Sequence, residues 1–275
     1  MNAWFESNGD NLGYRDAGSG ISAVFLHPTP LNRDYWRPLI AGFAGVRAIV
    51  PDLRGHGESE LGELLPYGLF SRAPHTPVLT MTQLAADMLA LLDHLEISEA
   101  AFVGCSIGGY VMLELWRQAP KRMSSLAFVC SKPQPDSESG LAKRAATIAL
   151  LREVGAESVF DAMAQNLTGK TAQQRHPGMV AELRSRMTLT TDAAIAVQAG
   201  LATRPDSLPT VSTIDVPVLA IAGGEDSVVT PAEMDAFTSA PGGCEFHLLP
   251  DAGHFAAYEQ PQKVASLLAE WLRQP

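Results

Sequence analysis

Residues 104–108 read Gly-Cys-Ser-Ile-Gly, which fits the G-x-S-x-G pattern of a serine on a sharp turn between a strand and a helix. Such a turn brings backbone so close to the serine that only small residues fit at Gly104 and Gly108. It also directs the helix N-terminus toward a developing oxyanion. A glycine-rich turn that simply packs a helix on a strand is the alternative. Because a predicted strand precedes the motif and a predicted helix follows it, the context favours Ser106 as a nucleophile that attacks a carbonyl carbon.

A serine hydroxyl is a weak nucleophile, so it needs a base and a group that holds this base in the correct tautomer. His254 lies in a loop of small residues directly after one predicted strand, and Asp226 directly follows another. Both side chains should project from the same sheet edge as Ser106. Glu225 is an alternative acid, but neighbouring side chains at a strand end point in opposite directions. At most one of the two carboxylates should therefore reach His254, and none of the other six histidines has a comparable position.

The oxyanion of an acyl-transfer reaction needs two backbone N–H donors, and Ile107, the residue after the nucleophile, supplies one. The second should come from the loop after the strand predicted at 23–27, which reads His-Pro-Thr-Pro. Because proline has no N–H, Thr29 is the only early donor in this loop. The alternative is a rigid proline turn with no catalytic role.

Strands and helices alternate along most of the chain, as a mostly parallel sheet with helices on both faces requires. Short apolar runs indicate the strands, and apolar stripes at helical spacing indicate the helices. The first two strands flank a turn-forming run and are predicted to form a hairpin. The strands are predicted at 3–6, 12–16, 23–27, 47–50, 100–104, 125–130, 216–222 and 245–249, and the helices at 35–43, 82–95, 108–116, 231–239 and 262–272.

Strand-like runs disappear between residues 132 and 209, where helical patterns take over. We therefore predict one α/β core, residues 1–131 and 210–275, that carries a helical cap at 132–209. Substrate should bind between the cap and the sheet edge. The segment 61–78 either overhangs this site or forms a solvated surface excursion. The side chains predicted to contact substrate are Trp36, Tyr67, Phe160 and Met163, although apolar stripes on helices more often form the cap's own core.

Taken together, these features resemble the α/β-hydrolase family, in particular small esterase and lactonase members similar to 3-oxoadipate enol-lactonases and non-haem perhydrolases. The resemblance covers nearly the whole chain and implies an α/β-hydrolase fold, Asp226 as the acid and a structural role for the turn at 54–59. The chain order Ser, Asp, His agrees with it. The chain departs from the family at Pro28, where glycine is common, and in the longer segment 61–78. The matching residues are His27, Tyr35, Trp36, 51–59, Gly104, Ser106, 108–110, 216–218, Gly223, Asp226, Gly253, His254, Glu259 and Pro261.

Composition excludes several classes of partner. The formal net charge of −10 would repel nucleic acid phosphates and anionic membrane surfaces. Cys105, Cys130 and Cys244 are odd in number and far apart, which suits neither a disulfide framework nor a zinc site and is typical of a reducing, cytoplasmic environment.

We expect no signal peptide, because the N-terminus lacks a basic start and an apolar run. We also expect no membrane span, because no later stretch is long and apolar enough to cross a bilayer.

The sequence thus predicts a serine hydrolase of the carboxylesterase or lactonase type that needs no metal and no organic cofactor. The expected substrate is a small, uncharged ester or lactone that is cleaved through an acyl-serine intermediate. The same triad would also serve a perhydrolase, or an enzyme that cleaves a carbon–carbon bond beside a carbonyl. Because one fold hosts many activities, a small-molecule receptor with little or no turnover is a third alternative.

Overall fold

A computed structural model describes residues 2–40, 43–64 and 76–273 of the chain. Its strands are β1 (Asn2–Ser7), β2 (Asp10–Gly18), β3 (Ile21–Leu26), β4 (Val46–Pro51), β5 (Ala100–Cys105), β6 (Met123–Val129), β7 (Val218–Gly223) and β8 (Cys244–Leu249). They form one sheet in the spatial order β1-β2-β4-β3-β5-β6-β7-β8. β1 and β2 form an antiparallel hairpin and β2 pairs antiparallel with β4, whereas the remaining neighbours are parallel. The predicted architecture, a mostly parallel sheet that begins with a hairpin, is confirmed.

The central strands are apolar along their whole length and end level with one another. Every residue of β5 and β7 is buried, because helices cover both faces of a parallel sheet. In the sheet register, Leu26 pairs with Gly104 and Val129 pairs with both Cys105 and Ile221. The loops that follow β3, β5 and β7 therefore leave the sheet at the same edge.

Six of the described helices belong to the core that surrounds the sheet. They are α1 (Arg37–Ile40), α2 (Met81–His94), α3 (Ile107–Gln118), α9 (Pro231–Met234), α10 (Ala256–Glu259) and α11 (Pro261–Trp271). Helices α4 to α8 lie between β6 and β7. α2 packs against α3, and α1 packs against α11. α2 begins after the N-cap residue Thr80, whose side chain accepts a hydrogen bond from the Gln83 N–H at 3.1 Å.

A helical segment lies between β6 and β7. It contains α4 (Glu138–Leu167), α5 (Lys170–Arg175), α6 (Met179–Ser185), α7 (Thr191–Ala202) and α8 (Leu208–Val211). α4 changes direction at Gly155, whose φ of 76° is easily adopted only by glycine. Both parts of this long helix belong to one packed unit, since α4 contacts α6 and α7.

Two of the predicted helices are partly 3₁₀ turns in the structure. The helix predicted at 35–43 is a 3₁₀ turn, Arg33–Trp36, followed by the short α1. The helix predicted at 231–239 is α9 followed by the 3₁₀ turn Asp235–Ser239. In both places the hydrogen bonds tighten to a spacing of three residues, as short connecting turns commonly do.

A buried ion network ties the N-terminal hairpin to α2 and to the loop after β4. The fully buried Arg54 guanidinium donates to both carboxylate oxygens of Asp87, at 2.9 and 2.8 Å, and to Asp10. The Ser7 hydroxyl donates to Asp87 at 2.7 Å. These bonds give Arg54 the structural role that the family resemblance implied, and they hold in place the loop that also carries His56.

All three cysteines are free thiols. Burial raises the pKa of Cys105 and Cys130 well above the usual value and that of Cys244 to about 11, so the three thiols are protonated at neutral pH. Within the described ranges, no three or more His, Cys, Asp or Glu side chains are grouped as ligands of a metal ion. In the same ranges, no helix has the length and apolar character needed to cross a bilayer.

Candidate active site

Ser106 lies on the turn between β5 and α3 in a backbone conformation that non-glycine residues rarely adopt, with φ 52° and ψ −116°. The Ser131 hydroxyl donates to the Ser106 carbonyl oxygen at 2.9 Å and helps to hold the turn. A Cβ atom at Gly104 would lie 2.6 Å from the carbonyl carbon of Gly108, and one at Gly108 would lie 2.4 Å from the carbonyl oxygen of Leu26. The two glycines are therefore required by the close approach of backbone.

The three side chains that the sequence singled out are hydrogen-bonded in a row. His254 Nε2 lies 2.9 Å from Ser106 Oγ, and His254 Nδ1 lies 2.8 Å from Asp226 Oδ2. All three residues are largely buried, with 8%, 3% and 8% exposure for Ser106, His254 and Asp226. The loops after β5, β7 and β8 thus converge at one sheet edge, and their side chains can relay a proton.

The Asp226 carboxylate is held in its ionised form. Burial acts to raise its pKa, but the neighbouring His254 ring and the backbone N–H groups of Val228 and Val229 outweigh it, so the pKa lies below the usual value. Those N–H groups donate to Asp226 Oδ1 at 2.8 and 3.0 Å. An ionised carboxylate accepts the Nδ1–H of His254, which leaves the Nε2 lone pair facing Ser106.

Glu225, the alternative acid, turns away from His254. Its carboxylate accepts hydrogen bonds from the Thr171 N–H at 2.8 Å and from the Thr171 hydroxyl at 2.6 Å. Glu225 therefore binds the start of α5, and Asp226 is the carboxylate beside His254.

Glu259 holds the backbone of the loop that carries His254. Its carboxylate accepts the N–H groups of Gly253 at 2.7 Å, Phe255 at 3.2 Å and Gly169 at 3.2 Å. Only 7% of the residue is exposed, and burial raises its pKa. Glu259 matched the family pattern in the sequence, but no role could be assigned to it. Its partners are backbone N–H groups, and the residue types in the sequence do not reveal such partners.

The predicted oxyanion residues lie beside Ser106. Thr29 and Ser106 line one cavity, which is described below, and the Thr29 hydroxyl lies 3.0 Å from His56 Nε2. His56 Nδ1 lies 3.0 Å from the Arg54 carbonyl oxygen, which can only accept, so the ring proton is on Nδ1 and Nε2 accepts the Thr29 hydroxyl. Burial lowers the pKa of His56 to about 3, so the ring is neutral. Ile107 is the first residue of α3, and its N–H therefore has no partner within the helix.

A cavity of about 340 Å³ opens at the Ser106 hydroxyl and the His254 ring. Residues at the sheet edge and residues of α4 and α7 line it, so it lies between the sheet and the helical segment. Met163 borders this cavity and also a void of about 10 Å³ that has mainly apolar walls. Phe160 borders only the smaller void. Met163 is thus shared by the cavity and the void, as are Thr29, Thr147 and Gln198, and it is the one apolar side chain of these four.

The structure does not place the other two predicted substrate contacts, Trp36 and Tyr67, at the cavity. Trp36 is fully buried and packs edge-on against Phe25 and Tyr35, with ring centroids 5.6 and 4.9 Å apart. It does not border the cavity, because the 3₁₀ turn directs its ring into the core, and the prediction of a substrate contact at Trp36 is corrected accordingly. Tyr67 lies outside the described residues.

A basic wall of the cavity was missed by sequence reasoning. Lys132, Lys143 and Arg144 all border the cavity, together with Asp136. The adjacent pair Lys143 and Arg144 in a chain of net charge −10 was the available signal. That signal could not be used from the sequence alone, since most charged pairs on helices face solvent.

Comparison with known proteins gives consistent results. A model of the alpha/beta hydrolase family matches residues 23–267. The chain is 27% identical over 240 residues to 3-oxoadipate enol-lactonase 2 of Acinetobacter baylyi, covering 87% of this chain and 84% of that protein. It is 33% identical over 132 residues to a non-heme chloroperoxidase of Streptomyces lividans, covering 46% and 43% of the two chains. A thermophilic esterase from Thermogutta terrifontis superposes with a TM-score of 0.88 at 28% identity, covering 99% of this chain and 98% of that one. The predicted fold and family resemblance are confirmed.

Proposed function

We propose, from the premise that this chain belongs to the alpha/beta hydrolase family, that it hydrolyses a small ester or lactone through an acyl-serine intermediate. The observation that carries the proposal is the row of hydrogen bonds from Ser106 Oγ through the His254 ring to Asp226, at 2.9 and 2.8 Å. A cavity of about 340 Å³ at the same place is large enough for a small ligand. We further propose that residues 132–209 act as a cap, since α4 and α7 line this cavity opposite the sheet edge.

In the first step, Ser106 Oγ attacks the carbonyl carbon of the substrate while His254 Nε2 takes the hydroxyl proton. The ionised Asp226 stabilises the imidazolium that forms. The bond between the carbonyl carbon and the alcohol oxygen then breaks, and the imidazolium returns its proton to the leaving oxygen. With an ester the alcohol departs, whereas with a lactone the new hydroxyl stays attached to the acyl group.

The negative charge on the carbonyl oxygen needs fixed donors during this step. The N–H groups of Ile107 and Thr29 are proposed to supply them. The hydrogen bond from the Thr29 hydroxyl to His56 supports this assignment, because it holds the loop after β3 beside Ser106. We assign His56 a positioning role.

In the second step, water attacks the acyl-serine and gives a proton to His254 Nε2. The bond to Ser106 Oγ breaks, the serine regains this proton, and the carboxylic acid leaves. Every proton passes through His254 Nε2, and Asp226 stays ionised throughout, so no further acid or base is needed for either step.

Steady-state hydrolysis of a panel of p-nitrophenyl esters and simple lactones tests the proposal. The wild-type protein should hydrolyse at least one of them, and Ser106→Ala should lower kcat by about 10⁴-fold or more. Ser239→Ala is a matched control, because Ser239 is exposed, lies outside the cavity and donates its hydroxyl to the Ala236 carbonyl at 2.8 Å. Hydrolysis by Ser106→Ala at the wild-type rate would end the proposal.

A second candidate, perhydrolysis, is favoured by the similarity to a protein named as a non-heme chloroperoxidase. In this reaction hydrogen peroxide replaces water in the attack on the acyl-serine, and a peracid leaves. Incubation with acetate and hydrogen peroxide, with peracid detected directly, distinguishes the two. Peracid formation that depends on Ser106 supports perhydrolysis, and its absence at a measurable esterase rate assigns hydrolysis alone.

A further inference from the structure

The cavity beside Ser106 has a surplus of positive charge. Lys132, Lys143 and Arg144 border it, and Asp136 is the only carboxylate among the described residues that does so. The chain as a whole has a formal net charge of −10. A cationic cavity in an anionic protein concentrates small anions and lowers the free energy of binding them.

We propose that this cavity binds substrates that carry a carboxylate in addition to the ester or lactone group, and that Lys143 and Arg144 of α4 hold this carboxylate. The inference deepens the proposed function and rests on it. It also revises the expectation of an uncharged substrate, because the sequence does not show which face of α4 borders the cavity.

Lys143 is the cation of this wall whose charge is not paired with a carboxylate of the described residues. It is exposed at the cavity wall and has no ionic partner among the described residues. Gly140, Arg144 and Thr147 of the same helix also border the cavity, so one face of α4 is directed toward Ser106. With three donors and no carboxylate to receive them, the Lys143 ammonium can bind the anionic group of a ligand.

Arg144 is already paired with Asp136, but some of its N–H groups are still available to a ligand. Its guanidinium donates to the Asp136 carboxylate and, at 3.0 Å, to Gln198 Oε1. These bonds use three of its five N–H groups. They fix the orientation of the guanidinium beside Lys143, and a fixed planar fork suits a carboxylate.

The acids near the cavity do not neutralise it. Asp136 is shared by Arg144 and Arg204, and these two arginines lower its pKa against the effect of burial. Lys132 pairs with Glu233, which is not among the residues that border the cavity. Four cations therefore face two carboxylates in this cluster, which leaves a surplus of two positive charges before any ligand binds.

Direct binding tests the carboxylate site without any turnover. Benzoate and benzamide have the same size and differ in charge, and titration calorimetry of the full chain with each compares their affinities. Wild-type protein should bind benzoate at least about fivefold more tightly than benzamide, the size expected for one partly exposed charge contact. The preference should disappear in Lys143→Glu and persist in Lys121→Glu, a matched control at an exposed lysine outside the cavity.

Two substrate pairs connect the site to hydrolysis. 4-Acetoxybenzoate and 4-acetoxybenzamide differ in charge on the leaving group, and the monophenyl ester of adipic acid and its amide differ in charge on the acyl group. For at least one pair, the ratio of kcat/KM for the acid to that for the amide should fall about fivefold in Lys143→Gln and further in Lys143→Glu. The wild-type ratio should also fall as NaCl rises from about 0.05 to about 0.5 M, because salt screens the charges.

The outcomes separate the two claims. Equal binding of benzoate and benzamide, or ratios that do not respond to Lys143→Glu, would overturn the carboxylate site while leaving esterase activity intact. Benzoate binding that depends on Lys143, in a protein that cleaves no ester and no lactone, would uphold the site and overturn the proposed function.

Discussion

The buried pair His27 and His56 should lower the free energy of unfolding of this protein when the pH falls below neutral. Burial lowers the pKa of His27 to about 4 and that of His56 to about 3, from a usual value of 6.5. Burial disfavours the charged form of both rings and outweighs the hydrogen bond from His56 Nδ1 to the Arg54 carbonyl at 3.0 Å, while His27 Nε2 accepts the Leu53 N–H at 2.9 Å and so has no free site for a proton. At a pH below 6.5 the unfolded chain therefore binds protons that the folded protein excludes.

The size of the effect follows from proton linkage. Between about pH 8 and about pH 5, each histidine should lower the free energy of unfolding by about 2 kcal/mol, and the pair by about 4 kcal/mol. The figure depends little on the folded-state pKa values, because both rings stay neutral at pH 5. Stability is lost as the pH falls, since protonation favours the unfolded chain.

Urea unfolding at about pH 8 and about pH 5 measures this difference, and His56→Asn should remove about half of it. His94→Asn, at an exposed imidazole, is the matched control for the loss of a histidine. Histidine NMR spectra give a second readout, in which the signals of His27 and His56 should keep the chemical shifts of a neutral ring down to about pH 5. A titration in which all seven rings take up protons near pH 6.5, or a His56→Asn protein with the full pH dependence, would refute the reasoning.

Three further predictions concern the site and its support. Asp226→Asn should lower kcat for an aryl ester by about 10⁴-fold because it disturbs the histidine tautomer, whereas Glu225→Gln should keep kcat near the wild-type value in the same assay. Met163→Ala should join the cavity to the apolar void behind it, and kcat/KM should rise about fourfold for each additional methylene that fits, measured on acyl chains of increasing length. Gly108→Ala places a Cβ 2.4 Å from the Leu26 carbonyl oxygen and should lower the free energy of unfolding by about 1–3 kcal/mol, measured in urea.

The fold and the row of site side chains could be predicted because they depend on local signals. Ser106, Asp226 and His254 each lie in the loop after a strand, and parallel strands end at one edge of a sheet, so three distant loops meet there. The choice between Asp226 and Glu225 needed the family resemblance, and the hydrogen bonds of Glu225 to Thr171 show where the second carboxylate goes.

Features that depend on the docking of helices could not be predicted. Trp36 had the residue type of a substrate contact, but a 3₁₀ turn directs its ring into the core. Lys143 and Arg144 border the cavity because of the path that α4 takes, and the sequence does not show this path. Glu259 binds backbone N–H groups, and such partners have no sequence signature.

Trapping of the covalent intermediate tests the central claim most directly. The protein is mixed with an aryl ester, quenched in acid within the turnover time, digested and analysed by mass spectrometry. The acyl mass should be found on the peptide that contains Ser106, and it should be absent from Ser106→Ala protein treated in the same way. Turnover of the ester with no acyl group on Ser106, or with the acyl group on another residue, would contradict the account.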